Sequence, residues 1–160
     1  MVSLKQKQSG FTIVELLIVI VIIGILATLV IVTFSGVQQK ARDSERKTDI
    51  NAVANVLEAF YANKGYYPDT AEINSDPATA GTWRNINAAD FKVDMKSFAD
   101  PKNAATQTLT DGALVAGTYN YFYAPSGCSG TAPDRQCTGY VLETNLENTS
   151  GGSTFKRESV

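Results

Sequence analysis

The chain has 160 residues, of which 44% are apolar and 19% charged, with a formal net charge of -2. These are the proportions of a folded protein, at a length that suits one ordinary domain plus a tail. It has no histidine and two cysteines, which excludes His-based triads, His proton shuttles, four-cysteine metal sites and most zinc or iron sites. Neither G-x-x-x-x-G-K-[ST] nor G-x-G-x-x-G occurs, so no nucleotide fingerprint is present. The expectation is a non-enzyme with no catalytic residues, no metal and no cofactor.

The mean hydropathy of -0.09 averages two unlike parts. Residues 1–10 are polar, with Lys5 and Lys7 and no acid. An apolar run starts at Phe11, and 16–39 is uncharged over 24 residues, about 36 Å of helix against a bilayer core of about 30 Å. The positive leader predicts an N-terminus held in the cytoplasm and everything after Lys40 outside. A cleaved secretory signal is the alternative, its best small-x-small site being Thr33-Phe34-Ser35 before Gly36.

Glu15 sits inside the apolar run, where an ionised carboxylate costs several kcal/mol unless paired. It could reach toward headgroups. It could instead meet an α-amino group freed by cleavage between Gly10 and Phe11, offered by a neighbouring copy shifted along its axis. Such a pair would set the register between otherwise uniform Leu, Ile and Val helices.

Gly10-Phe11-Thr12 followed by Glu15-Leu16-Leu17 closely resembles the processing site of type IV pilins and pseudopilins. The resemblance implies a membrane prepilin peptidase that cuts after Gly10 and N-methylates Phe11, and a role for Glu15 in methylation or assembly. It further implies a homopolymer built through the apolar helix, a platform protein and a cytoplasmic ATPase acting indirectly, and lipid as the surroundings before assembly. Where many members carry a proline downstream of Gly24, this chain has Val32.

Ile50, Val53, Ala54, Leu57, Phe60 and Tyr61 recur at the spacing of an amphipathic helix. The mixed charges from Lys40 to Asp49 read as a solvated face, or as partners for charges on neighbouring subunits. No proline interrupts 11–63, which predicts one continuous helix. Gly65-Tyr66-Tyr67-Pro68 should end it, with glycine as cap and proline as stop. Gly65, Tyr67 and Pro68 also resemble the G-x-Y-P element of many Gram-positive pilins and secretion pseudopilins.

The stretch 69–84 reads as an irregular loop and 89–98 as a short helix with Phe91, Met95 and Phe98 on one side. Asp100-Pro101-Lys102-Asn103 should turn, as a similar D-P-x-N does in the family. Residues 118–123 and 139–147 alternate as strands expected to pair antiparallel, with a third strand around 114–116. The end, 148–160, is Ser-, Gly- and Thr-rich and reads as a mobile tail. Cys128 and Cys137 lie between the two clearest strands. Outside the cytoplasm a disulfide is expected there, closing a loop of about ten residues and contributing about 2–3 kcal/mol; two free thiols are the alternative.

Asp111-Gly112 lacks the longer Asp- and Gly-rich loop of calcium-binding secretion pseudopilins, and Asn148-Thr149-Ser150 fits an N-glycosylation triplet. Losing Lys5 and Lys7 would leave 12 of the 14 basic residues against 16 acidic ones, a net of -4, which disfavours general DNA binding. The expected organisation is a leader (1–10), a membrane or filament-core helix (11–39), an amphipathic helix (40–64), a head (65–147) and a tail (148–160). The fold class is α+β: a long N-terminal helix packed on a small antiparallel sheet. The expected function is the subunit of a type IV pilus, a membrane protein before assembly and extracellular after it. The alternatives are a pseudopilin of a secretion or competence machine and, from another class, an anchored or exported binding protein or hydrolase.

Overall fold

The computed structural model describes residues 10–75, 94–131, 135–148 and 153–160, including every side chain there except that of Val32. The chain divides into two compact units, Met1–Gln38 and Gln39–Val160. Helix α1, Ile13–Lys64, is unbroken, as expected of a stretch with no proline to remove a hydrogen bond. Its described side chains up to Gln38 are all exposed, as is Phe11 just before it.

In the second unit α1 turns amphipathic. Ile50, Val53, Ala54, Leu57 and Phe60 are buried and form one core with Tyr67, Ile73, Phe98, Leu109, Tyr121, Tyr123, Tyr140 and Leu142. Each such side chain contributes about 1.5–3 kcal/mol by leaving water. Tyr61 departs from the expected face: it is partly exposed and stacks on Tyr67 at 4.5 Å. Gly65 adopts φ +81°, a left-handed position that glycine tolerates without strain, and its N–H donates to the Tyr61 carbonyl at 2.7 Å. The helix ends there.

The sheet has four strands in the order β1-β2-β3-β4: Thr110–Asp111, Tyr121–Ser126, Gly139–Asn145 and Thr154–Glu158. The expected antiparallel pair is β2 and β3, with Tyr123 opposite Leu142. Three expectations need correction. The sheet is mixed, because the third strand is not at 114–116 but at Thr110–Asp111, parallel to β2. Strand β2 starts at Tyr121, three residues late, and leaves Tyr119 outside it. Within 148–160, residues 154–158 form strand β4, antiparallel to β3, since alternating Phe155 and Arg157 find a free strand edge to pair with; 149–152 lie outside the described residues.

Thr70–Ile73 form a one-turn helix, α2, in the expected loop. Asp69 and Glu72 make a reciprocal capping box there; residues 76–84 lie outside the described residues. Of the helix expected over 89–98, Met95–Phe98 form a 3-10 turn capped by Asp94, and 89–93 are outside the described residues. Asp100–Asn103 is a turn, closed by Asn103 N–H to the Asp100 carbonyl at 2.7 Å.

Candidate processing and assembly site

Gly10 and Phe11 precede α1 and are exposed, Phe11 at 87%. Thr12 and Glu15 lock the first turn together. The Thr12 N–H and hydroxyl both donate to Glu15 Oε2, at 2.8 and 2.6 Å, and the Glu15 N–H donates to Thr12 Oγ1 at 3.2 Å. This is a capping box, satisfying two of the backbone donors that every helix start leaves open. The pattern T-x-x-E is the sequence signal for it, overlooked beside the more conspicuous burial problem of Glu15. The carboxylate thus has a partner within its own chain, one residue beyond the Gly10–Phe11 bond. A new amine at Phe11 would be adjacent to it in sequence.

The charged first half of the amphipathic helix is not simply a solvated face. Arg46 is 0% exposed. Its guanidinium bonds Asp43 at 2.8 Å, both oxygens of Asp100 at 2.7 and 2.9 Å, and Glu147 at 2.9 Å. Arg42 adds two bonds to Glu147 at 2.6 and 2.7 Å, and Lys102 a third at 2.9 Å. Three cations and three anions therefore join the helix, the Asp100 turn and the segment that follows β3. The Arg42 bonds, against burial, and then Lys102 and Arg46 hold the Glu147 carboxyl far below its usual range. Burial pushes Asp43 up, but the Glu147 and Asn148 N–H groups and Arg46 outweigh it and leave the carboxyl lowered. The signal lies in the helical period: stepping back from Ile50 by fours and threes lands on Arg46 and Asp43.

At the other end of α1, Tyr67 and Cys137 exchange backbone bonds at 2.8 and 2.9 Å, and Cys137 is bonded to Cys128 through a disulfide. The Tyr67 and Tyr140 hydroxyls both donate to Glu58, each at 2.8 Å, and Tyr123 donates to the Pro68 carbonyl at 2.7 Å. Gly65, Tyr67 and Pro68 thus tie the helix end to the sheet and the disulfide loop. Burial first, then the acids they meet, raise the hydroxyl pKa of Tyr67 and Tyr140, so both stay protonated donors. Among the described residues, no group of three Cys, Asp or Glu side chains is arranged to hold a metal ion.

Among the described residues nothing covers the apolar side chains of the first unit, and apolar side chains this dense need lipid or other copies around them. A helix suited to both in turn, carrying a small α+β body, defines a pilin-like subunit. A family model described as the prokaryotic N-terminal methylation motif matches residues 5–31. The type II secretion system core protein G of Aeromonas hydrophila is 41% identical over 42% of this chain and 48% of its own length. The type IV major pilin protein PilA of Myxococcus xanthus is 37% identical over 56% of this chain and 46% of its own length. The chain spans about half the length of these two. Fimbrial protein EcpC of Eikenella corrodens is 30% identical over 78% of this chain and 77% of its own. No solved structure matches significantly. The chain belongs to the type IV pilin and pseudopilin family, whose members are structural subunits rather than enzymes.

Proposed function

We propose that this chain is the structural subunit of a type IV pilus. It inserts with its N-terminus in the cytoplasm, is cut after Gly10 and N-methylated on Phe11, and polymerises with other copies through 11–39. A prepilin peptidase does the cutting; a platform protein and a cytoplasmic ATPase drive extraction. The observation that carries the reading is the exposure of the described apolar side chains from Phe11 to Val37, directly after Gly10. Moving such a helix from lipid to a bundle gains little hydrophobic free energy, since both surroundings are apolar. Packing, outside work and register must then decide assembly. Glu15 supplies the register by pairing with the Phe11 amine of a neighbouring copy, a switch from the cap it makes in the single chain. Mass spectrometry of the N-terminal peptide from sheared surface material tests this. A methylated Phe11 start is expected, and polymers that retain residues 1–10 overturn the reading.

The similarity to core protein G favours a second reading, a pseudopilin of a secretion machine. Electron microscopy of cells separates them: long surface fibres containing this chain support the pilus, and their absence at native expression supports the pseudopilus.

A further inference from the structure

A hollow of about 340 Å³ opens where α2, β1, β2 and the disulfide loop meet, with Asp69, Thr70, Asp111, Pro125, Cys128 and Arg135 in its lining. That volume lies at the lower end of small-molecule sites, roughly 300–1,000 Å³. Its walls are held in place. The Thr70 hydroxyl donates to Asp111 Oδ1 at 2.6 Å, Asp111 pairs with Tyr123 across β1 and β2, and next to Arg135 the backbones of Gln136 and Ser129 exchange bonds at 2.9 and 2.8 Å. The Cys128–Cys137 bond closes the same loop. A ligand would therefore not have to order these segments, which removes part of the usual cost of binding.

Three charges line the hollow without pairing with one another. Asp69 is 5% exposed; its Oδ1 accepts the Glu72 N–H at 2.8 Å, and its Oδ2 has no donor among the described residues. A buried carboxylate oxygen in that state is costly, and a donor brought by a ligand offsets the cost. Asp111 is exposed and has the Thr70 hydroxyl but no cation. Arg135 is exposed, and its guanidinium makes no ion pair or hydrogen bond among the described residues.

This set of charges disfavours the simplest ligands. A plain anion would meet two carboxylates. A calcium-like ion takes about six to eight oxygens and would find two carboxylates with a guanidinium beside them; no group of three Cys, Asp or Glu side chains suits a metal among the described residues. A molecule with one carboxylate and two cations matches all three charges.

We infer that this hollow binds a free basic α-amino acid, lysine or arginine. The ligand carboxylate takes Arg135, whose flat fork suits two carboxylate oxygens. Its α-ammonium and side-chain cation take Asp69 and Asp111, and its methylenes lie along Ala71 and Pro125 in the same lining. Because the ligand joins α2, β1 and the disulfide loop, binding stabilises the body by mass action. The lining lies wholly within the second unit, so the site serves a pilus or a pseudopilus subunit alike.

The test titrates the isotope-labelled full chain in detergent and follows its amide resonances. The probes are L-lysine, cadaverine, which keeps two cations and lacks the carboxylate, and norleucine, which keeps the carboxylate and lacks the side-chain cation. Lysine should shift Asp111, Gly112 and Arg135 with saturation below about 10 mM and raise the thermal midpoint. Norleucine should bind about tenfold more weakly. Arg135→Gln should weaken lysine about tenfold and leave cadaverine unchanged, whereas Asp111→Asn should weaken both. Each variant changes an exposed side chain, and Asn keeps an oxygen for the Thr70 hydroxyl, so both should melt like the parent without ligand. Shifts that do not saturate, or that spread over the charged surface, overturn the assignment. So does an Arg135→Gln chain that loses cadaverine as strongly as lysine, or norleucine binding equal to that of lysine. Calcium that shifts these resonances where lysine does not overturns it in favour of a metal.

Discussion

Arg46 has lost all its water, and what replaces the water is three carboxylates arranged around one guanidinium. A buried ion network of this kind is often no more stabilising than apolar side chains would be, yet breaking it from one side is costly. Arg46→Met leaves Asp43, Asp100 and Glu147 crowded without their shared cation, and should destabilise the body by about 3–5 kcal/mol, read by urea denaturation of the chain in detergent. The same residues set an acid limit. Glu147 and Asp43 titrate below their ordinary values in the folded state, so their stabilisation is present above the unfolded pKa, about 3.9 for Asp and 4.3 for Glu, and is lost as pH falls through the folded values. Asp49 acts in the opposite sense, its carboxyl raised by burial first and then by Glu45 and Asp100 against the Tyr121 bond, but it is one group against two. The thermal midpoint should therefore hold from pH 7 to pH 5 and fall below about pH 4. A midpoint that rises on acidification would show that Asp49 dominates. At Glu15, geometry and charge can be separated. Glu15→Gln keeps an oxygen for the Thr12 N–H and removes the negative charge. If pairing with a neighbouring amine sets register, Gln should abolish sheared fibres while leader cleavage persists; normal fibre yield would assign Glu15 to capping alone.

Between Gly65 and Cys137 the helix end, sheet and disulfide loop hold one another. The Tyr67–Cys137 bridge joins two backbone segments far apart in sequence, and the Cys128–Cys137 bond secures the segment on the other side. Cys128→Ser/Cys137→Ser should cost about 2–3 kcal/mol through the reopened loop, with faster hydrogen exchange at the Tyr67 amide than at Leu57 in mid-helix. Equal acceleration at both would mean the bridge is not a local clamp. These elements differ in how plainly the sequence announced them. The apolar run, the amphipathic period from Ile50 to Phe60, the glycine stop and the two alternating strands are local patterns and were legible. Strand β4 was not: Thr154–Glu158 is short and mostly exposed, and only the free edge of β3 makes it a strand. The two-residue β1 leaves no periodicity to read. The Thr12–Glu15 box was legible and missed, whereas the partners of Arg46 were not, because Asp100 and Glu147 lie 54 and 101 residues downstream.

Two solvents select the two units of the molecule. Among the described residues, none up to Gln38 is buried, while every buried one lies at or beyond Asp43. Those buried residues need water outside them to drive their packing; the N-terminal unit needs a surrounding that spares it water altogether. The body should therefore keep its fold when separated from the apolar segment. A fragment of residues 39–160 retains Arg42, Asp43 and Arg46, the core from Ile50 to Leu142, and the disulfide. It should purify without detergent as a monomer, with the same thermal midpoint as the full chain in detergent. It begins one residue before Lys40, so the helix start loses its backbone partners there and frays over about one turn, which Asp43 and Arg46 limit through their bonds to the body. Full-length chain without detergent should aggregate at the same concentration. If the fragment instead unfolds or associates, measured by light scattering and circular dichroism, the apolar segment is part of the body's folding unit, and the division between the two solvents is wrong.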